Sequence, residues 1–198
     1  GGGGGGGPRR SGPPLNMKIA FIGTHGVGKT TLCFDLAGVL KRAGVSVDMV
    51  KEVARLSPLP INRKTSLDAQ TWILMTQVAE EIRSSAYNEV VVCDRSALDN
   101  YAYMVLACGR QKPFERFVAY WMKSYDLLFK VSIAGAPSAD GVRDTDEFFM
   151  RAIDSLVDKL LGELKVPHEV LPAGERAQWS EMAKDAVLKQ PGLSRLFR

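Results

Sequence analysis

The stretch that decides the fold is "KIAFIGTHGVGKTTL", residues 18–32, in which an apolar run leads directly into a glycine-rich loop. Residues 18–23 are predicted as a buried strand, and a helical pattern runs from Gly28 to Ala43. Between them lies the spacing G-x-x-x-x-G-K-T. In this strand–loop–helix context, the spacing predicts a loop that binds the phosphates of a nucleotide.

The residue types of this loop suit a nucleoside triphosphate held with Mg²⁺. The glycines let backbone N–H groups and the start of the helix approach the phosphates. Lys29 is expected to reach the β- and γ-phosphates, and the Thr30 hydroxyl to ligate Mg²⁺. His25 is expected to be a loop residue rather than a catalyst. ATP is the expected nucleotide, and GTP stays open. The predicted nucleotide-binding residues are Gly23, Thr24, His25, Gly26, Val27, Gly28, Lys29, Thr30 and Thr31.

Strand and helix patterns alternate along the rest of the chain. Capping boxes are predicted at Thr65 with Asp68 and at Ser96 with Asp99. The alternation predicts an α/β fold, a parallel sheet with helices on both faces and ligands beyond the carboxyl ends of the strands. Further strands are predicted at 45–52, 89–94, 126–134 and 168–173, and helices at about 67–87, 97–107, 113–123, 147–165 and 175–189.

The composition is that of one ordinary globular domain of 198 residues. The net charge is +4, but without Arg9 and Arg10 the count is 24 basic against 22 acidic residues. This balance gives no argument for a nucleic-acid or membrane partner. Three cysteines without a C-x-x-C pair favour a reducing, cytoplasmic setting. Residues 1–16 are predicted as a disordered leader or tag, 17–190 as the domain and 191–198 as a tail; a homodimer stays open.

Acidic residues at two predicted strand ends are the candidates for chemistry. Asp94 follows four apolar residues and matches the second magnesium-holding position of phosphate-loop enzymes. Arg95 can contact a phosphate or form a structural ion pair. Glu52 is either a general base for an acceptor hydroxyl or a surface residue, and the pattern alone does not decide between them.

The loop "GAPSADGVRDTDEFF", residues 135–149, is predicted to be a lid. Arg143 within it is expected to close over the phosphates and spread the developing charge. Asp144 and Glu147 have the spacing of a capping box, which favours a structural role for Asp144. Arg151 could face the phosphates or lie in solvent.

Four segments, "GTHGVGKTTL", "KEVAR", "DRSALDNY" and "DGVRDTDEFF", together resemble the AAA-type phosphate-loop domain shared with the ribosylnicotinamide kinase part of NadR. More distantly they resemble deoxynucleoside and thymidylate kinases. The resemblance covers about residues 17–190 and implies a five-stranded parallel sheet ordered 2-3-1-4-5. It implies that Lys29, Thr30 and Asp94 bind Mg·ATP. It also implies that Glu52 and Arg95 lie on the acceptor side and that Arg143 is the arginine of the lid. Many nucleoside kinases have Glu-Arg-Ser where this chain has Asp-Arg-Ser.

Three functions are compatible with these residues. The favoured one is a kinase that transfers the γ-phosphoryl group of ATP to a hydroxyl of a small molecule, most simply a nucleoside. The second is a nucleotide-dependent regulatory module without an acceptor, although the N-K-x-D guanine motif is missing from the sequence. The third is a nucleic-acid end-processing kinase, which the near-neutral charge disfavours. Trp72, Gln77, Tyr101 and Tyr103 could wall an acceptor pocket or pack in the core.

Overall fold

A parallel sheet carries the predicted loop at its centre. The computed structural model describes residues 16–61, 64–133 and 144–193. Within them the strands are β1 Met17–Ile22, β2 Val47–Val50, β3 Val90–Asp94, β4 Leu127–Val131 and β5 Glu169–Leu171. All pair in parallel, in the order β2-β3-β1-β4-β5. The α/β fold and the strand order implied by the resemblance are therefore confirmed.

Helices cover both faces of this sheet. They are α1 Lys29–Arg42, α2 Leu67–Tyr87, α3 Ala97–Cys108, α4 Lys112–Trp121, α5 Asp144–Glu163 and α6 Trp179–Leu188. Short 3-10 segments occupy Val53–Leu56, Met122–Ser124 and Ala173–Gln178. None of the helices in the described residues is both long enough and apolar enough to span a membrane.

The period-two pattern of the strands builds one core on each face. In β1, Ala20 and Ile22 pack with α2, α3, α4 and α5, whereas Ile19 and Phe21 pack with α1 and α6. Successive side chains of a strand point to opposite faces, so an apolar strand contributes to both layers. Cys93 and Cys33 are buried, one in each of the two cores. Leu193, in the predicted tail, is also buried.

Several predicted boundaries are wrong. β2 and β4 are shorter than 45–52 and 126–134. The predicted last helix at 175–189 is instead a 3-10 segment, within which Glu175 has the non-helical torsions φ −118° and ψ 28°, followed by α6. The predicted Thr65–Asp68 capping box is not formed. The N-cap of α2 is Ser66, whose hydroxyl accepts the Ala69 N–H, and Thr65 accepts from the Gln70 amide instead.

Candidate active site

The loop after β1 folds through three glycines with left-handed torsions. Gly23, Gly26 and Gly28 have φ of 139°, 72° and 103°. Glycine adopts this region without the steric cost that a β-carbon imposes. At Gly23 space is also short, since a β-carbon there would lie 2.7 Å from the Val131 carbonyl oxygen. The backbone can therefore take the tight path between β1 and α1.

Lys29 begins α1 and is buried at the base of this loop. Its ammonium group donates a hydrogen bond to the Thr24 carbonyl oxygen. Burial is the main reason that its pKa falls to about 8, with a further lowering from Arg95. Asp99, Asp94 and Glu52 act in the opposite direction. The charges of these three carboxylates and of Arg95 therefore all influence the pKa of Lys29.

Thr30 and Asp94 lie together, as a magnesium site requires. The Thr30 hydroxyl donates to Asp94 Oδ2 at 2.5 Å, and Asp94 ends β3 beside β1. A hydroxyl and one carboxylate are suitable hard ligands for Mg²⁺, which takes its remaining ligands from water and substrate phosphates. This pair therefore fits the ion that the phosphate loop implies. Bound Mg²⁺ would neutralise charge on the phosphate oxygens.

Asp99 has a second role that the sequence did not indicate. The predicted capping box is confirmed, since Asp99 Oδ2 accepts the Ser96 N–H and the Ser96 hydroxyl caps α3. Its other oxygen, Oδ1, accepts the Gly23 N–H at 2.7 Å. Burial raises the pKa of this carboxyl, while Lys29 and the donated hydrogen bonds lower it. Asp99 therefore joins the start of α3 to the phosphate loop.

Arg95 and Glu52, the two candidates at the ends of neighbouring strands, form an ion pair with each other. Arg95 Nη2 lies 3.0 Å from Glu52 Oε1, and the Arg95 side chain is 7% exposed. Glu52 follows β2 by two residues and remains partly exposed. The Tyr103 ring lies 4.8 Å from the guanidinium carbon, and the Tyr103 hydroxyl is hydrogen-bonded to His25 Nδ1 at 3.1 Å. Tyr103 thus contacts both the Arg95 turn and the phosphate loop.

The Arg95 turn rests on a buried carboxylate that sequence reasoning missed. Glu81 is fully buried and accepts hydrogen bonds from four side chains. Of these, Gln77 also donates to the Arg95 carbonyl oxygen at 3.3 Å, and the Tyr125 hydroxyl accepts the Ala97 N–H at 3.1 Å. Both sides of the turn are therefore tied to Glu81. The four donors are Lys18 Nζ, Gln77 Nε2, Trp121 Nε1 and the Tyr125 hydroxyl.

A cavity of about 190 Å³ lies beside this ion pair, between the phosphate loop and α2. Two of its buried polar atoms, Gln70 Oε1 and Asn100 Nδ2, have no hydrogen-bond partner among the described residues. Buried polar groups are normally paired, so unpaired atoms on two residues that line this cavity are unusual. The polar lining residues are His25, Glu52, Gln70, Arg95, Asn100 and Tyr103.

A larger cavity of about 550 Å³ lies on the other side of Glu52 and reaches Thr30 and Asp94. Glu52 lines both cavities, so this residue adjoins the smaller cavity as well as the one that reaches Thr30 and Asp94. Arg143 lies outside the described residues, as does the side chain of Asp144. Arg151 is bonded to Glu147 on the exposed surface of α5, which favours the solvent interpretation.

The four residues proposed as possible walls of an acceptor pocket have different positions. Tyr103 lines the smaller cavity. Gln77 and Tyr101 are buried and bonded elsewhere, Gln77 to Glu81 and Tyr101 to Glu115. Trp72 is half-buried and does not line this cavity. The sequence analysis missed Gln70 and Asn100. The only sequence signal for each of them is that it is a polar residue on the apolar face of a helix.

Comparisons with known proteins agree with this architecture. The family model described as "AAA domain" matches residues 18–179. No curated protein matches this sequence.

Solved structures of two kinases have the same fold. Thymidylate kinase from Ehrlichia chaffeensis is 19% identical with a TM-score of 0.64, over 89% of this chain and all of that one. Deoxyadenosine kinase from M. mycoides, solved with the products dCMP and dCDP, is 17% identical with a TM-score of 0.60. The same enzyme with dATP gives 0.59 at 17% identity, and both alignments cover 86% of this chain and 98% of theirs.

Proposed function

The chain belongs to the AAA domain family, and from this premise we propose that it is a Mg·ATP-dependent phosphotransferase whose acceptor is a nucleoside or a nucleoside-like molecule. The single observation that carries this proposal is the pocket beside Glu52 and Arg95, which adjoins the phosphate loop through His25. A nucleotide switch needs only the loop and a metal site. A second pocket with a carboxylate at its border is what a two-substrate reaction requires.

The polar atoms of this pocket favour an acceptor with an amide-like edge. Gln70 Nε2 is engaged by Thr65, which leaves Gln70 Oε1 as a hydrogen-bond acceptor, and Asn100 Nδ2 is available as a donor. Nucleobases and carboxamides present a donor and an acceptor of this kind. The side chains of Ile73 and Ile61 supply apolar surface for a flat ring. The thymidylate and deoxyadenosine kinases that share the fold support this substrate class.

The proposed transfer uses Glu52 as the base. The acceptor hydroxyl oxygen bonds to the γ-phosphorus while the bond from that phosphorus to the β–γ bridging oxygen breaks. ADP leaves with the electron pair of the broken bond, and the hydroxyl proton passes to Glu52. Arg95 holds Glu52 Oε1, which orients the carboxylate, and Lys29 is placed at the loop to stabilise negative charge on the phosphates.

ADP formation measured with a panel of nucleosides, nucleoside monophosphates and related alcohols tests this function. We expect one class to raise turnover well above the rate with water alone. Glu52→Gln is expected to lower kcat by about 10²–10⁴-fold, the usual contribution of a general base, while Mg·ATP binding persists. Glu80→Gln is the matched control, because Glu80 lines the larger cavity only and lies on the partly exposed surface of α2.

Two results would contradict the proposal in different ways. If no acceptor raises turnover while Lys29→Ala abolishes nucleotide binding, the kinase assignment is wrong and the chain is a nucleotide-dependent regulatory module. If Lys29→Ala leaves nucleotide binding unchanged, the phosphate loop itself is misassigned. Comparing ATP with GTP in the same binding assay determines the base preference.

A further inference from the structure

The segment from the end of β5 to the first residues of α6 is held against α1. Trp179 is 2% exposed and its indole N–H donates to the Pro172 carbonyl oxygen at 2.8 Å, which closes the segment on itself. Ser180 donates to Asp35 on α1 at 2.6 Å, which ties its far end to the helix that follows the phosphate loop. We refer to residues 172–180 as the β5–α6 segment. Its position relative to α1 is therefore set by the Ser180 hydrogen bond and by Trp179, which is buried in the same core as α1.

Arg176 lies in the middle of this segment, beside the phosphate loop. A β-carbon built on Gly28 would lie 3.9 Å from Arg176 Nη2, so the guanidinium group is next to the backbone at the start of α1. Arg176 is exposed, and its side chain makes no ion pair or hydrogen bond with any residue that the structure describes. A guanidinium group with unused N–H donors thus lies beside a loop whose backbone is suited to binding anions.

The other cations of the site are already engaged. The ammonium group of Lys29 bonds to the Thr24 carbonyl oxygen, and the guanidinium group of Arg95 bonds to Glu52. Arg176 is also on a different side of the loop, since it approaches Gly28 while Arg95 borders the acceptor pocket. Its charge therefore has no structural partner within the described chain that would explain its placement.

We propose that Arg176 is a nucleotide-binding residue, which donates to phosphate oxygens of the bound nucleotide at the point where they meet Gly28. Guanidinium groups recognise phosphate oxygens through two parallel N–H donors, and the helix start at Gly28 favours the same anion. This inference rests on nucleotide binding by the proposed function, and it is independent of the acceptor.

Equilibrium binding of Mg·ATP, ADP and inorganic tripolyphosphate, measured by calorimetry without an acceptor, tests this role. Arg176→Ala is expected to weaken all three by about tenfold, the usual effect of losing one charge-assisted hydrogen bond. Arg176→Lys keeps the charge and is expected to recover part of the loss. Arg116→Ala is the matched control, because Arg116 is an exposed arginine on α4 and is expected to change nothing.

The outcomes separate this role from the rest of the site. Wild-type affinity in Arg176→Ala, with an unchanged melting temperature, overturns the proposal. A loss for ATP and ADP without a loss for tripolyphosphate overturns the phosphate contact, since the arginine then reads the base or ribose. If Lys29→Ala does not weaken nucleotide binding, the nucleotide is not bound at this loop, and the phosphate contact proposed for Arg176 is overturned with it. If nucleotide binds normally but no acceptor is found, the kinase assignment fails and the Arg176 result still stands.

Discussion

Two turns follow neighbouring strands at the same edge of the sheet, and they are held in different ways. The turn after β1 uses glycines at its left-handed positions, so its conformation is a local property of Gly23, Gly26 and Gly28. The turn after β3 places Arg95 at φ 90°, where a side chain is strained. The glycines of the first turn contribute only backbone groups. The second must present a side chain, because its guanidinium group pairs with Glu52.

The comparison explains the buried carboxylate beneath the second turn. A glycine in place of Arg95 would remove the strain, but it would also remove the cation. The conformation is instead stabilised by distant residues, since Glu81 holds the Arg95 carbonyl through Gln77 and the Ala97 N–H through Tyr125. The strained turn that carries the Arg95 side chain thus depends on tertiary contacts. The turn after β1 depends instead on the glycines within it.

Removal of Glu81 is expected to have the largest effect. Glu81→Ala leaves Lys18, which is 7% exposed, without its carboxylate partner. We expect the free energy of unfolding to fall by about 3–5 kcal/mol, as when one member of a buried ion pair is removed. Urea denaturation followed by circular dichroism measures this loss. Glu81→Gln keeps the volume and provides a milder variant if the alanine variant does not fold.

The neighbouring residue supplies the control for this experiment. Glu80 pairs with Arg83 on the surface of α2, and its loss is expected to cost less than about 1 kcal/mol. Equal effects at Glu80 and Glu81 would show that the buried network does not support the turn. In folded Glu81→Gln we also expect kcat to fall more than the affinity for Mg·ATP, because the network acts through Arg95 and not through the phosphate loop.

A single substitution is expected to destabilise the glycine turn after β1. Gly23→Ala adds a β-carbon at φ 139° and 2.7 Å from the Val131 carbonyl oxygen. We expect a loss of about 1–3 kcal/mol in unfolding free energy from the strained torsion alone, together with weaker nucleotide binding. Gly162→Ala is the matched control: it lies within α5 with open space around it, and it is expected to stabilise the protein by about 0.5–1 kcal/mol.

These two turns also separate what the sequence could predict from what it could not. The phosphate loop and the Ser96–Asp99 capping box are patterns of nearby residues, and both were predicted correctly in outline. Lys18 and Glu81 are 63 residues apart, and no local pattern records that they meet. Gln70 and Asn100 were missed for the same reason, since their partnerless atoms become visible only when α2 and α3 are placed side by side.

Boundary errors have a related cause. Thr65 and Asp68 have the spacing of a capping box, but the neighbouring Ser66 serves as the cap, while Thr65 is used by the Gln70 amide. Helix ends differ by a residue or two whenever adjacent residues can cap equally well. The 3-10 segment with its non-helical residue Glu175 was likewise not predicted, because the sequence there is compatible with a helix.

The pH dependence of nucleotide binding tests the first turn in another way. Because burial lowers the pKa of Lys29 to about 8, the free protein loses this charge above that pH, while the phosphates require the ammonium form. Binding is then coupled to proton uptake. We expect the affinity for Mg·ATP to fall by up to about tenfold, or about 1.4 kcal/mol, for each pH unit between 8 and 10. Calorimetry in buffers of different ionisation enthalpy measures the proton directly.

The unfolded chain retains its Lys29 proton to a pKa of 10.5, so between 8 and 10.5 the unfolded state binds more protons than the free folded state. Rising pH in this window therefore stabilises the free protein through Lys29 while it weakens nucleotide binding. Lys29→Arg is the control, since an arginine stays charged across the range and its affinity should be flat with pH. A flat profile in the wild type would mean that Lys29 keeps its ordinary pKa.

The smallest expected effect tests whether the two turns are coupled. Tyr103 contacts both, through its hydroxyl to His25 at 3.1 Å and through its ring beneath Arg95. Tyr103→Phe keeps the ring and removes the hydroxyl, so only the link to the phosphate loop is lost. In a double-mutant cycle with His25→Ala, we expect a coupling free energy of about 0.5–1.5 kcal/mol, the usual net value of one hydrogen bond. Zero coupling would mean that the glycine turn and the Arg95 turn are stabilised independently, each by its own mechanism.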